Sequence, residues 1–239
     1  MPVTHGVTGS SPVRTAEIEN MIWSCSFFIY LIAKQMKIGI EAQRIFRNNK
    51  HGMDYVVLKE ILHLQQTDLR NEYFIFVKPG PDHCVKDTFN FHVIEVKCPS
   101  YPLWEQWALP RAAKSVGVEI LHCTSNTAPI FTSLPLVLTL HDIIFLEPRD
   151  KNNKSFYQNM GWLYRRLVVP RILGKCRRII TVSNYEYENI VTKLNIPRRR
   201  MQMIYNGYSA ATSMVWTMSF LRRYSISRRL TLVMNIIYL

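Results

Sequence analysis

The chain has 239 residues, room for one large α/β domain, and its 48% apolar and 12% aromatic content is ample for a packed core, which excludes a disordered chain. Thirty Lys and Arg against 17 Asp and Glu give a formal charge of +13, which favours an anionic partner: a phosphate-bearing substrate, an acidic membrane surface or nucleic acid. No zinc finger or arginine-rich aromatic repeat supports the last of these, so no nucleic-acid partner is expected.

The five cysteines, Cys25, Cys84, Cys98, Cys123 and Cys176, are odd in number and show no C-x-x-C spacing. That usage fits a reduced, cytoplasmic protein and neither a disulfide framework nor a zinc site. No metal site and no cofactor are expected. His122 and Cys123 adjoin, but neighbours on a strand point to opposite faces, so they do not form a nucleophile and base.

In chain order, residues 1–35 read as an extension outside the domain. The apolar run Met21 to Ala33 falls short of the roughly 20 residues that span a bilayer, and no basic amino end with a small-residue cleavage site marks a signal peptide. An interfacial anchor is the remaining membrane reading of this run. The stretch His5 to Thr15 resembles the translated arm of a bacterial transfer-RNA gene, so Met36 is the expected true start.

From Met36 the pattern is regular. Met36 to Phe46 reads as a strand, Arg44 to Gly52 as a basic loop, and Met53 to Gln66 as a helix whose amino end, beside Gly52, offers free N–H groups to a phosphate. A glycine there also serves a purely backbone need. Neither G-x-G-x-x-G nor G-x-x-x-x-G-K-[ST] is present, against an NAD dehydrogenase or a P-loop NTPase. Glu72 to Val77 and Phe91 to Lys97 read as strands, Trp104 to Val116 as a helix bent near Pro110, and Glu119 to His122 as a short strand. The small polar loop from Ser125 and Asn126 to Pro129 sits where a sheet of this type meets a ligand, although a turn needs the same residues.

The run Leu136 to Leu140, uncharged and bounded by Ser133 and Pro135, has the make-up of a strand buried on both faces. It stops at His141 and Asp142. Ligands of open parallel sheets bind outside the carboxyl ends of the strands, which makes His141 the first functional candidate. The same position also suits a histidine that only hydrogen-bonds a neighbouring loop.

Glu147 to Lys154 reads as a charged loop and Ser155 to Leu173 as an aromatic, basic helix closed at Gly174. Its surroundings suit acidic lipid head groups or a plain solvated face. Arg178 to Val182 reads as a strand, Ser183 as the N-cap of helix Tyr185 to Leu194 with Glu186 completing a capping box, and Met201 to Tyr205 as a last strand before Asn206 and Gly207. About six βα steps call for a doubly wound, mostly parallel sheet with irregular terminal extensions.

Three pieces in this order, Leu140-His-Asp-Ile-Ile-Phe-Leu-Glu-Pro148, Ile180-Thr-Val-Ser-Asn-Tyr-Glu-Tyr-Glu-Asn-Ile190 and Met203-Ile-Tyr-Asn-Gly-Tyr208, resemble the amino-terminal domain of family 4 glycosyltransferases. The resemblance covers Met36 to about Tyr208. It implies a Rossmann-like domain forming the first half of a GT-B fold, and a retaining transfer from a nucleotide-sugar donor to a glycan or lipid-linked acceptor without a bound metal. It implies that His141 lies near the transferred sugar, Gly52 near the donor diphosphate and Asn206-Gly207 at the passage to a second domain, and that Ser183 holds a recurrent position with a mainly structural role; Asp142 beside His141 and Ser125 and Asn126 in the polar loop are the further substrate-binding candidates. The family continues with a donor-binding domain carrying an E-x7-E pair. Here the expectation for Ser209 to Leu239 is an aberrant tail with no such motif, and little transfer by the isolated chain. Two alternatives stand beside this: a non-catalytic, partner-completed acceptor module, and a basic protein peripheral to the inner membrane face.

Overall fold

The computed structural model describes residues 35–148 and 156–207. The expectations for residues 1–34 and 208–239, and most of the charged loop after Glu147, lie outside them. The described elements are β1 (Lys37–Glu41), α1 (Gly52–Thr67), β2 (Glu72–Val77), β3 (Phe91–Glu95), α2 (Tyr101–Leu103), a π-helical segment (Trp104–Ala108), α3 (Leu109–Ser115), β4 (Ile120–Cys123), β5 (Leu136–Thr139), α4 (Phe156–Leu173), β6 (Cys176–Thr181), α5 (Asn184–Leu194) and β7 (Met201–Met203). Short 3-10 turns occupy Ile144–Leu146 and Arg198–Arg200.

The seven strands form one sheet in the order β3-β2-β1-β4-β5-β6-β7, and every pairing is parallel. The central strands are buried along nearly their whole length, which is why β2 and β5 read as continuous apolar runs rather than alternating ones. Glu72 to Val77 coincides with its expected span, whereas β3, at the sheet edge, is half-exposed and ends at Glu95.

Core packing is split by the sheet. One face carries α1, whose Val57, Leu58 and Ile61 meet Ile38, Ile40, Tyr73, Ile75 and Ile120. The other carries α3, α4 and α5 through Leu109, Ala113, Val169, Ile172 and Ile190, packed on Leu121, Leu138 and Ile179. Alternation along β4 therefore sends His122 towards α1 and Cys123 into the opposite core.

Several boundaries differ from expectation for local reasons. The first strand stops at Glu41 rather than Phe46, because the Glu41 carboxylate accepts the Gln43 N–H and turns the chain. Ala42, Ile45 and Phe46 are buried all the same, as an irregular turn under Gly80, where any Cβ would collide with the Phe46 carbonyl oxygen. The expected bend near Pro110 is a π segment just before it: the Leu109 N–H donates to the Trp104 carbonyl five residues back. Gly174 does not close α4 in the left-handed region, and α5 ends on left-handed Asn195 (φ 49°) instead. Ser183 caps α5 by accepting the Glu186 N–H at 3.1 Å, but Glu186 does not reach back, so only half of the expected capping box forms. The reciprocal half, a helical acid returning to the cap, occurs at α1, where the His51 N–H donates to Asp54 at 2.7 Å.

Candidate functional site

The chain runs from β1 outwards to β3, then returns through α2, the π segment and α3 to lay β4 beside β1. The direction of strand addition reverses between β1 and β4, and at such a point the loops after the two strands diverge and leave a crevice at their carboxyl ends. Every expected site residue falls on that rim. Gly52 opens α1 after β1, Ser125 and Asn126 follow β4, His141 and Asp142 follow β5, Ser183 follows β6, and Asn206 and Gly207 follow β7.

His141 is fixed at two atoms. Its backbone N–H donates to the Asn126 carboxamide oxygen at 2.6 Å, and ring Nε2 lies 3.0 Å from the Thr124 carbonyl. A carbonyl only accepts, so Nε2 carries the proton, and Nδ1 of the neutral ring is left as an acceptor. Burial lowers the imidazole pKa, with the Thr124 bond and Asp142 opposing it, so the neutral ring is favoured. The bond to a neighbouring loop that a merely structural histidine would make is therefore present, and it leaves the other ring nitrogen available.

The loop that holds His141 is itself pinned by two buried carboxylates. Thr124 Oγ1 donates to the Glu41 carbonyl at 2.7 Å and lies 3.1 Å from its carboxylate. Thr127 donates to Glu105 at 2.5 Å. Glu105 also accepts from Tyr101, Gln106 and Tyr164, tying α2, the π segment and α4 to this loop. Burial raises the Glu105 pKa against the hydrogen bonds of Thr127, Tyr164 and Tyr101. Between the two anchors, Asn126 takes a left-handed backbone (φ 67°) and its N–H reaches the Thr139 carbonyl. Ser125 and Asn126 are both buried.

At the first turn, the cations of the basic loop face carboxylates: Arg44 meets Asp54 at 3.2 Å, Arg47 meets the same Asp54, and Lys50 meets Asp82. The amides of Gly52 and Met53 make no hydrogen bond among the described residues, and a Cβ at Gly52 would meet nothing within 4 Å. The amino end of a 16-residue helix is thus open at the rim. Farther along, Lys78, Pro79, Lys97, Cys98 and Pro99 line a shallow depression of about 410 Å³ past β2 and β3. Asp142 accepts the Ile144 N–H at 3.2 Å; burial and the Asp142 charge raise the Glu186 pKa across from it. No group of three or more His, Cys, Asp or Glu suited to a metal occurs among the described residues. Cys84, Cys98, Cys123 and Cys176 are free, and burial pushes the Cys123 thiol well up.

Sequence reasoning did not find Glu41 or Glu105. Both carried a local signal: Glu41 is the acid that ends an otherwise apolar strand, and Glu105 is a lone acid between two tryptophans.

An all-parallel sheet with a reversal between its first and fourth strands, and polar side chains gathered on its carboxyl edge, defines a Rossmann-like ligand-binding domain. The sequence profile of Glycosyltransferase Family 4 matches residues 57–211, and the chain belongs to that family. Its sheet is the amino-terminal half of the GT-B architecture. WaaG, a glycosyltransferase involved in lipopolysaccharide biosynthesis, superimposes with a TM-score of 0.55 at 9% identity, covering 77% of this chain and 49% of that one. A glycosyltransferase from Rickettsia africae ESF-5 gives 0.47 at 16% identity over 79% of this chain and 48% of that one. The WaaG match is a likeness of fold, and the chain spans about half the length of these neighbours. No curated sequence matches it.

Proposed function

We propose that the chain is the acceptor-side half of a retaining glycosyltransferase, which passes a sugar from a nucleotide-sugar donor to a glycan or lipid-linked acceptor. The observation that carries this reading is His141, a neutral imidazole held by the Thr124 carbonyl and Asn126 with Nδ1 free, on the carboxyl rim of a Family 4 sheet. Nδ1 accepts a hydroxyl of the transferred sugar and so orients it. Breaking the sugar-phosphate bond develops negative charge on the leaving diphosphate, and the amides of Gly52 and Met53, which make no hydrogen bond among the described residues, are the donors for that charge.

In this reading Asp142, Ser125, Asn126 and Ser183 shape the cleft, and Asn206 and Gly207 lead towards a donor-binding half, which turnover requires. Equilibrium binding of UDP-glucose and GDP-mannose to the purified chain is the test. Affinity no better than millimolar is expected, with no sugar released, whereas micromolar nucleotide binding or turnover by the chain alone would contradict the division of labour.

A further inference from the structure

We infer that the depression lined by Lys78, Pro79, Lys97, Cys98 and Pro99 binds an anionic sugar, one carrying a phosphate or a carboxylate, and so selects acidic acceptors. The acceptor role rests on the transfer reading above, whereas the binding itself does not.

The site follows from where β2 and β3 end. Lys78 comes directly after β2 and Lys97 two residues after β3, so parallel pairing brings both to the carboxyl rim. Their backbones are fixed. The Lys78 N–H donates to the Gln43 carbonyl at 3.1 Å, and Gly80 packs against the Phe46 carbonyl. On the other side the Val96 N–H donates to the Val77 carbonyl at 2.8 Å, and the Val96 carbonyl accepts from Trp104 Nε1 at 2.9 Å. Two exposed cations therefore stand on anchored backbone beside about 410 Å³ of open space, with two prolines and the half-buried Cys98 as the rest of its lining.

Neither lysine side chain makes an ion pair or hydrogen bond among the described residues. The acids nearest in sequence are already engaged, Asp82 by Lys50 and Glu95 by His83 at 3.8 Å. This is the reverse of the first βα turn, where Arg44, Arg47 and Lys50 all meet carboxylates. Unpaired ammonium groups attract an anion, and no carboxylate lines the depression to hold a cation. The prolines offer no N–H, and an apolar lining with a few convergent polar groups suits a ligand that has a C–H face. A free phosphate would leave that lining uncovered, and a nucleobase would find no aromatic ring to stack on. A sugar ring with one anionic substituent uses both halves. Because β2 and β3 lie three and four strands from β5, the anion belongs to an acceptor that extends beyond the sugar meeting His141.

The test is titration of the full chain with glucose 6-phosphate, glucuronic acid, glucose and inorganic phosphate, followed by NMR at the backbone amides of Lys97 and Cys98. Binding in the millimolar range or tighter is expected for at least one acidic sugar, with glucose and inorganic phosphate each weaker by about tenfold or more. The better of the two acidic sugars identifies the preferred anion. Lys78→Gln and Lys97→Gln should each weaken that binding about fivefold, the scale of one exposed ion pair, and leave Tm unchanged because both side chains are exposed. Acidic sugars that bind no better than glucose, inorganic phosphate that binds as tightly as either of them, or full binding in the double Gln variant overturns the inference. Absence of transfer in an assembled enzyme, with this binding intact, would count against the transfer reading and not against the site.

Discussion

Asn126 is the residue on which the geometry of His141 depends most directly, and replacing it gives a graded prediction. Its backbone is left-handed and it is 1% exposed, with its carboxamide oxygen holding the His141 N–H at 2.6 Å. Asn126→Ala removes both supports. A Cβ residue without a local polar group disfavours the left-handed region by about 1 kcal/mol, and a buried N–H left without an acceptor costs about 1–3 kcal/mol. Together these predict a loss of about 2–4 kcal/mol. The carboxamide nitrogen has no partner among the described residues, so its removal offsets a little of this. Asn126→Gly relieves the backbone strain and should lose only the hydrogen-bond part, about 1–3 kcal/mol. Urea unfolding with matched m-values measures both, and the His141 ring resonances should move in each variant. An alanine variant within 0.5 kcal/mol of the parent, or alanine and glycine variants of equal stability, would refute the reasoning.

Three further outcomes follow from the same geometry. Gly80→Ala drives a methyl into the Phe46 carbonyl and should destabilise the domain by about 2–3 kcal/mol, read as a fall in the urea midpoint at constant m; an unchanged midpoint would show that the turn moves freely. Glu105→Ala leaves the hydroxyls of Tyr101, Thr127 and Tyr164 and the Gln106 amide without their acceptor and should lose about 3–5 kcal/mol. Because burial raises the folded pKa of Glu105, its contribution is full below the unfolded carboxylate pKa and is lost as pH rises through the folded value. The stability gap between the parent and Glu105→Gln should therefore shrink as pH rises, and a pH-independent gap would contradict the assignment. His141 shifts the other way: its folded pKa lies below 6.5, so its contribution is present above that value and is lost as pH falls through the folded one. A ring titration by NMR with a midpoint at or above 6.5 would contradict the burial argument.

The fold was legible because parallel strands buried on both faces leave unbroken apolar runs. Glu72 to Val77 and Leu136 to Thr139 are such runs, and polar residues mark where each strand ends. The Ser183 cap was equally readable, since an N-cap is a local arrangement. Glu41 shows the limit. Its role as anchor for Thr124 joins residues 83 apart in sequence, and nothing near Glu41 in the chain announces that contact. Glu105 is similar, because its acceptor role depends on Thr127 and Tyr164 arriving from a loop and a helix that are distant in sequence. The sequence marks Arg44 to Gly52 only as a basic loop, and the pairing of its Arg44, Arg47 and Lys50 with Asp54 and Asp82 comes from the fold.

The most direct test of the central claim is a transfer assay with the full chain, alone and combined with the donor-binding half of a Family 4 enzyme, using a panel of nucleotide sugars and a glycolipid extract as acceptor. The account predicts transfer only in the combined sample and a loss of about a hundredfold in His141→Ala, the scale of one oriented hydrogen bond to a transition state. Transfer by the chain alone, or full transfer by the His141→Ala combination, would contradict it.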